Sequence, residues 1–83
     1  MAAALTTACS GSGDEIDIPL SEVPANIVTI IQDTLPGIAL SEAEKEVHDD
    51  KIIYELEGTL INGLKYEIEI AADGTILKIE LDD

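Results

Sequence analysis

The sequence predicts an α+β fold in which one N-terminal helix packs on one face of a four-stranded antiparallel meander sheet. Three observations lead there. One helical stripe of apolar residues ends at Pro36-Gly37. Everything after it alternates between apolar and polar with a period of two. Turn-forming pairs at Asp49-Asp50, Asn62-Gly63 and Asp73-Gly74 then divide that second half into four strands. A single helix followed by a run of strands buries both apolar surfaces best as two layers.

The helix is read in SEVPANIVTIIQDTLPG. Ser21 can cap its start, and Pro24 is tolerable only in the first turn, where its missing N–H costs no bond. Val23, Ile27, Ile30, Ile31 and Leu35 form a stripe at helical spacing, with Asn26, Thr29, Gln32 and Asp33 facing away. The last hairpin follows from a two-residue turn at Asp73-Gly74, which sets Ile70 opposite Leu77, Ile68 opposite Ile79 and Tyr66 opposite Leu81. For the middle hairpin a two-residue turn would put Leu56 against Glu69. A three-residue loop, Ile61 to Gly63 with Gly63 left-handed, instead matches Leu56 with Ile68 and Tyr54 with Ile70. The first hairpin turns at Asp49-Asp50, with Val47 opposite Ile52 and Ala43 opposite Leu56. On this reading Ile52, Tyr54, Leu56, Leu64, Tyr66, Ile68, Ile70, Leu77, Ile79 and Leu81 face the helix, which covers them.

Composition bounds the function. The 83 residues carry 18 acids against 4 lysines and no arginine, a formal charge of −14. Such a chain repels nucleic-acid phosphates and anionic headgroups, so neither is a direct partner. No apolar run approaches the roughly 20 residues of a membrane span. Catalysis is poorly supplied. His48 is the single histidine, placed beside a turn; zinc would need several His or Cys ligands; and no glycine cluster forms a phosphate-binding loop. Tyr54 and Tyr66 fall on the core face and read as packing. The sequence therefore assigns no catalytic residue, cofactor or metal ligand.

Residues 1–15 read as a head and flexible linker, and residues 16–83 as one domain. Ser10, Gly11, Ser12 and Gly13 offer almost nothing to bury. The lone thiol, Cys9, follows LTTA, and LTTAC resembles the lipobox of bacterial lipoproteins, which implies lipidation at Cys9 and an SGSGDE tether. Only residues 1–8 precede it, and none of them is basic. The lipoprotein reading thus places the true start upstream. With Met1 as the start, Cys9 is an incidental thiol on a small cytoplasmic domain.

The folded part also resembles a family. A short amphipathic helix ending in Pro36-Gly37, a strand carrying AEKE (43–46), a Tyr-Glu strand (54–55) and KYEIEI-AADG-TILKIEL are similar to the PepSY-like domains, including the repeats of secreted β-lactamase-inhibitor proteins. The resemblance implies a bacterial envelope protein, periplasmic or extracellular, that binds or restrains a partner such as a peptidase and catalyses nothing. The inhibitors carry two units in tandem and this chain has one, so β-lactamase inhibition does not carry over. Self-association through the outer strands is left open.

The face away from the helix is the part of the sequence that folding does not require. The registers place Glu42, Glu44, Glu46, Glu55, Glu57, Glu67, Glu69 and Glu80 there, relieved by Lys65 and Lys78, with Glu42, Glu57, Glu67 and Glu80 in one cross-strand row. Like charges directly opposite destabilise a sheet and should raise some carboxyl pKa values. Three readings fit: a solvated face that prevents stacking, a docking surface for a basic protein, and a structural module that responds to Ca²⁺ or Mg²⁺.

Overall fold

The structure, a computed structural model, describes residues 14–82. It corrects the predicted architecture. The sheet has five strands, and the helix lies between the first and second of them rather than before all of them. The elements are β1 (Asp14–Ile18), α1 (Ala25–Thr34), β2 (Ala39–His48), β3 (Lys51–Thr59), β4 (Lys65–Ala71) and β5 (Ile76–Leu81). Strand order follows chain order, and every neighbouring pair is antiparallel.

The unforeseen strand β1 has the sequence DEIDI and lies along β2, with Ile18 opposite Ala43 and Ile16 opposite Lys45. Three acids in five residues run against strand propensity, and Pro19 follows at once. The period-two placing of Ile16 and Ile18 is nevertheless the same signal that marks β3 and β4. Between β1 and α1 the chain forms a 3₁₀ turn over Leu20–Glu22, so Ser21 does not cap the helix. The cause is Pro24. A residue before proline is driven out of helical conformation, and Val23 is extended at φ −76° and ψ 128°. The helix therefore starts afresh at Ala25 with Pro24 at its cap. It ends with Leu35 N–H donating to the Ile31 carbonyl, before Gly37 turns the chain at φ +87°.

Two of the predicted hairpins hold. Asp49 and Asp50 are both left-handed, at φ 51° and 66°, which is the twist a two-residue hairpin needs. Val47 accordingly faces Ile52, and Ala43 faces Leu56. The Leu60–Leu64 loop has three residues, with Leu56 opposite Ile68 and Tyr54 opposite Ile70. The last hairpin departs near its turn. Its loop repeats the middle one: Ala71 N–H donates to Thr75 (2.8 Å), as Leu60 N–H does to Leu64 (2.9 Å). In the two loops Asp73 and Asn62 each accept from the backbone two residues on. The added residue makes a bulge, so Ile70 meets Ile76 rather than Leu77; beyond it Ile68 meets Ile79 and Tyr66 meets Leu81.

The core is Val23, Ile27 and Ile31 from the helix side, with Ile38, Ala43, Tyr54, Leu56, Ile68 and Ile70 beneath. Gly58 admits Ile38, whose Cγ1 lies 2.7 Å from where a glycine-58 Cβ would stand. One expectation fails here: Leu64, Leu77, Ile79 and Leu81 are not covered by the helix and are exposed. A ten-residue helix is only about 15 Å long and about 10 Å wide, whereas five strands span about 19 Å. It shields the middle strands and leaves the flanks open.

Candidate functional site

The helix-free face is built from the alternate residues of all five strands. The predicted row is present: Glu42 stands opposite Glu57, Glu57 opposite Glu67, and Glu67 opposite Glu80. A second row runs beside it through Asp17, Glu44, Glu55 and Glu69, and ends on Lys78. Glu15 and Glu46 oppose each other in a third. Glu42, Glu44, Glu55, Glu57, Glu67, Glu69 and Glu80 thus share one face, as the sequence implied. Glu15 and Asp17 were missed with β1, and the alternation around Ile16 and Ile18 was the signal for them.

Crowding holds protons on this face. Glu55 is pushed up to about 9, first because its protonated carboxyl donates a hydrogen bond to Glu67, then by burial and the neighbouring charge of Glu67. Glu44 rises to about 7 through burial, reinforced by Glu15 and Asp17. Burial raises Glu15 and Glu57 as well, with Glu46 adding to the first and Glu42 to the second. The face therefore carries less charge at neutral pH than its composition implies.

Carboxylate oxygens of Glu15, Glu44 and Glu55 lie within 4.8 Å of one another, close enough to share a cation. The three sit on neighbouring strands of an open surface, without the converging loop of a dedicated calcium site. Opposing charge on the face is peripheral. Lys78 Nζ is 3.4 Å from Glu80, which raises the lysine's own pKa, and Lys65 stands at the end of β4.

The remaining sequence candidates are dispersed. His48 closes β2 opposite Lys51, next to the Asp49-Asp50 turn. Tyr54 is buried and Tyr66 packs against the core, both as predicted. Cys9 lies outside the described residues. A cleft of about 340 Å³ opens where β1 runs into the 3₁₀ turn, beside the β2 bulge. Its charged lining is Asp17 and Glu42, whose neighbours there are Ile18, Pro19, Leu20, Ser41 and Ala43. No described helix is long and apolar enough to cross a membrane. The chain matches no family model, no curated protein and no solved structure.

Proposed function

We propose that this chain is a non-catalytic protein-binding module that offers the helix-free face of its sheet to a positively charged partner. The observation that carries this is the pair of adjacent carboxylate rows, with four glutamates in one and Asp17, Glu44, Glu55 and Glu69 in the other. Keeping such a face wet requires only polar side chains of mixed sign. Like charges placed directly opposite each other weaken the sheet that holds them, and a basic surface turns that cost into binding energy and steering. The PepSY-like resemblance adds the class of partner, an envelope protein such as a peptidase. The lipobox-like LTTAC adds a tether at Cys9.

The test is a comparison of the native chain with the double variant Glu57→Gln/Glu67→Gln as baits against the envelope fraction of the host. Partners held by the native chain and lost by the variant support the reading. Retention of every partner by the variant sinks it. An intact mass of the protein from the membrane fraction tests the tether separately: cleavage before Cys9 with an added diacylglyceryl group is expected.

A second reading, a structural module stabilised by Ca²⁺ or Mg²⁺, is favoured by the closeness of Glu15, Glu44 and Glu55. It predicts that millimolar Ca²⁺ raises the melting temperature beyond NaCl of equal ionic strength. Equal effects of the two salts reduce it to screening.

A further inference from the structure

The two edges of the sheet are unlike. β1 offers a short strand whose outward face is acidic, whereas β5 carries Leu77, Ile79 and Leu81 at 50%, 40% and 48% exposure, with Lys78 and Glu80 between them. We propose that β5 is the interface of a homodimer, in which two copies pair antiparallel about a two-fold axis through Ile79 and form one ten-stranded sheet.

The backbone is set for this. Asp82 N–H donates to the Lys65 carbonyl (2.8 Å), so Lys65 and Asp82 form a hydrogen-bonded pair of the β4/β5 ladder. Such pairs alternate along an antiparallel ladder, so Glu80 and Lys78 also turn their backbone groups toward β4. Ile79 and Leu81, out of phase with them, turn theirs to the open edge. An edge strand with unpaired backbone and apolar side chains is a template for another strand.

The side chains select the second copy and one register. With the axis at Ile79, that residue meets the partner's Ile79, and Leu77 meets the partner's Leu81. Lys78 meets the partner's Glu80, and by symmetry Glu80 meets the partner's Lys78. The row through Glu42, Glu57, Glu67 and Glu80 then continues onto the partner's Lys78, adding a second cation to the Lys78 of its own chain that lies 3.4 Å from Glu80. Moving the axis to Lys78 opposes two lysines, and moving it to Glu80 opposes two glutamates. A shift of one residue lays the apolar face of one copy beside the acidic face of the other. The same operation at β1, about Ile16, sets Glu15 against the partner's Asp17, so that edge repels its own copy. One self-complementary edge and one self-repelling edge give a closed dimer and not a fibre.

Sedimentation equilibrium of the full chain over about 1–500 µM, near physiological salt, reads the proposal. A reversible monomer–dimer equilibrium is expected. Lys78→Glu replaces two attractive contacts by two repulsive ones and should weaken the dimer at least about tenfold. The charge exchange Lys78→Glu/Glu80→Lys should recover it. Ile79→Lys, which brings two ammonium groups together on the axis, should abolish it, with circular dichroism showing that each variant is folded. A chain that stays monomeric at about 500 µM overturns the proposal. So does a dimer indifferent to Lys78→Glu, or a folded exchange variant that fails to reassociate.

Discussion

The replacement Glu55→Gln removes one ionisable carboxyl from the middle of the acidic face while keeping the shape of the side chain and its ability to donate to Glu67. Glu55 stands directly opposite Glu44 on one side and Glu69 on the other. A like-charged pair in this position costs about 0.2–1 kcal/mol, so relieving two returns about 0.4–2 kcal/mol wherever Glu55 is ionised. Water and salt screen a face this open, which keeps the gain on that pairwise scale. In a domain of this size 1 kcal/mol moves the melting temperature by about 4–8 °C, so the expected rise is about 2–16 °C. The pH window is specific. Glu55 is held near 9 in the folded chain against an ordinary value of 4.5, so the folded state keeps a proton that the unfolded state releases. That contribution is fully present below about pH 4.5 and is lost as pH rises through about 9. The native chain should therefore weaken across this range, and the glutamine variant should escape that part of the loss. Calorimetric melts from pH 4.5 to 10 should show a gap near zero at the acid end and largest at the alkaline end. A gap independent of pH, or a variant less stable than the native chain at pH 9, would mean that Glu44, Glu67 and Glu69 do not hold a proton on Glu55.

Two further predictions concern the glycines that shape the sheet. Gly58→Ala puts a methyl group 2.7 Å from Ile38 Cγ1 and 2.9 Å from the Ala39 carbonyl, and overpacking of this kind costs about 1–3 kcal/mol, read as a lower urea midpoint. Gly63 and Gly74 hold the same place in equivalent loops at φ +88° and +97°, but only Gly74 has a neighbour in the way, Ile30 Cδ1 at 2.9 Å. Gly63→Ala should thus cost about 1–2 kcal/mol of left-handed strain, and Gly74→Ala should melt lower still.

The carboxylate row was legible because three hairpins fix it. Once Leu56 must face Ile68, Glu57 can only face Glu67, and the period of two carries the assignment to Glu42 and Glu80. The first strand was hidden by its acids. Asp14 and Glu15 read as linker, and the alternation of Ile16 and Ile18 is too short a run among acids to announce a strand without its pairing to β2. Ser21 misled because capping propensity is local, whereas the conformation of Val23 is dictated by the proline that follows it. The bare flank at Ile79 and Leu81 could not be read from alternation, which says which way a side chain points but not how far a helix reaches.

Protons held on the acidic face give a way to tell where a cation docks. At pH 7 Glu55, near 9, is almost fully protonated, and Glu44, near 7, is about half so. A cationic ligand seated on these rows favours the ionised carboxylates, so it must expel about one to two protons as it binds. A ligand bound at the helix side or at a sheet edge expels none. Titration with an oligoarginine peptide, whose guanidinium groups stay charged through pH 10, in two buffers of different ionisation enthalpy measures the number directly. The apparent heat should differ between buffers at pH 7 and converge at pH 10, where the carboxyls are already ionised and affinity is highest. Glu55→Gln should remove about one proton from the count while leaving most of the surface intact. A heat at pH 7 that is the same in both buffers would move the docking site off these carboxylates, since no cation can settle among them without changing which of them hold protons.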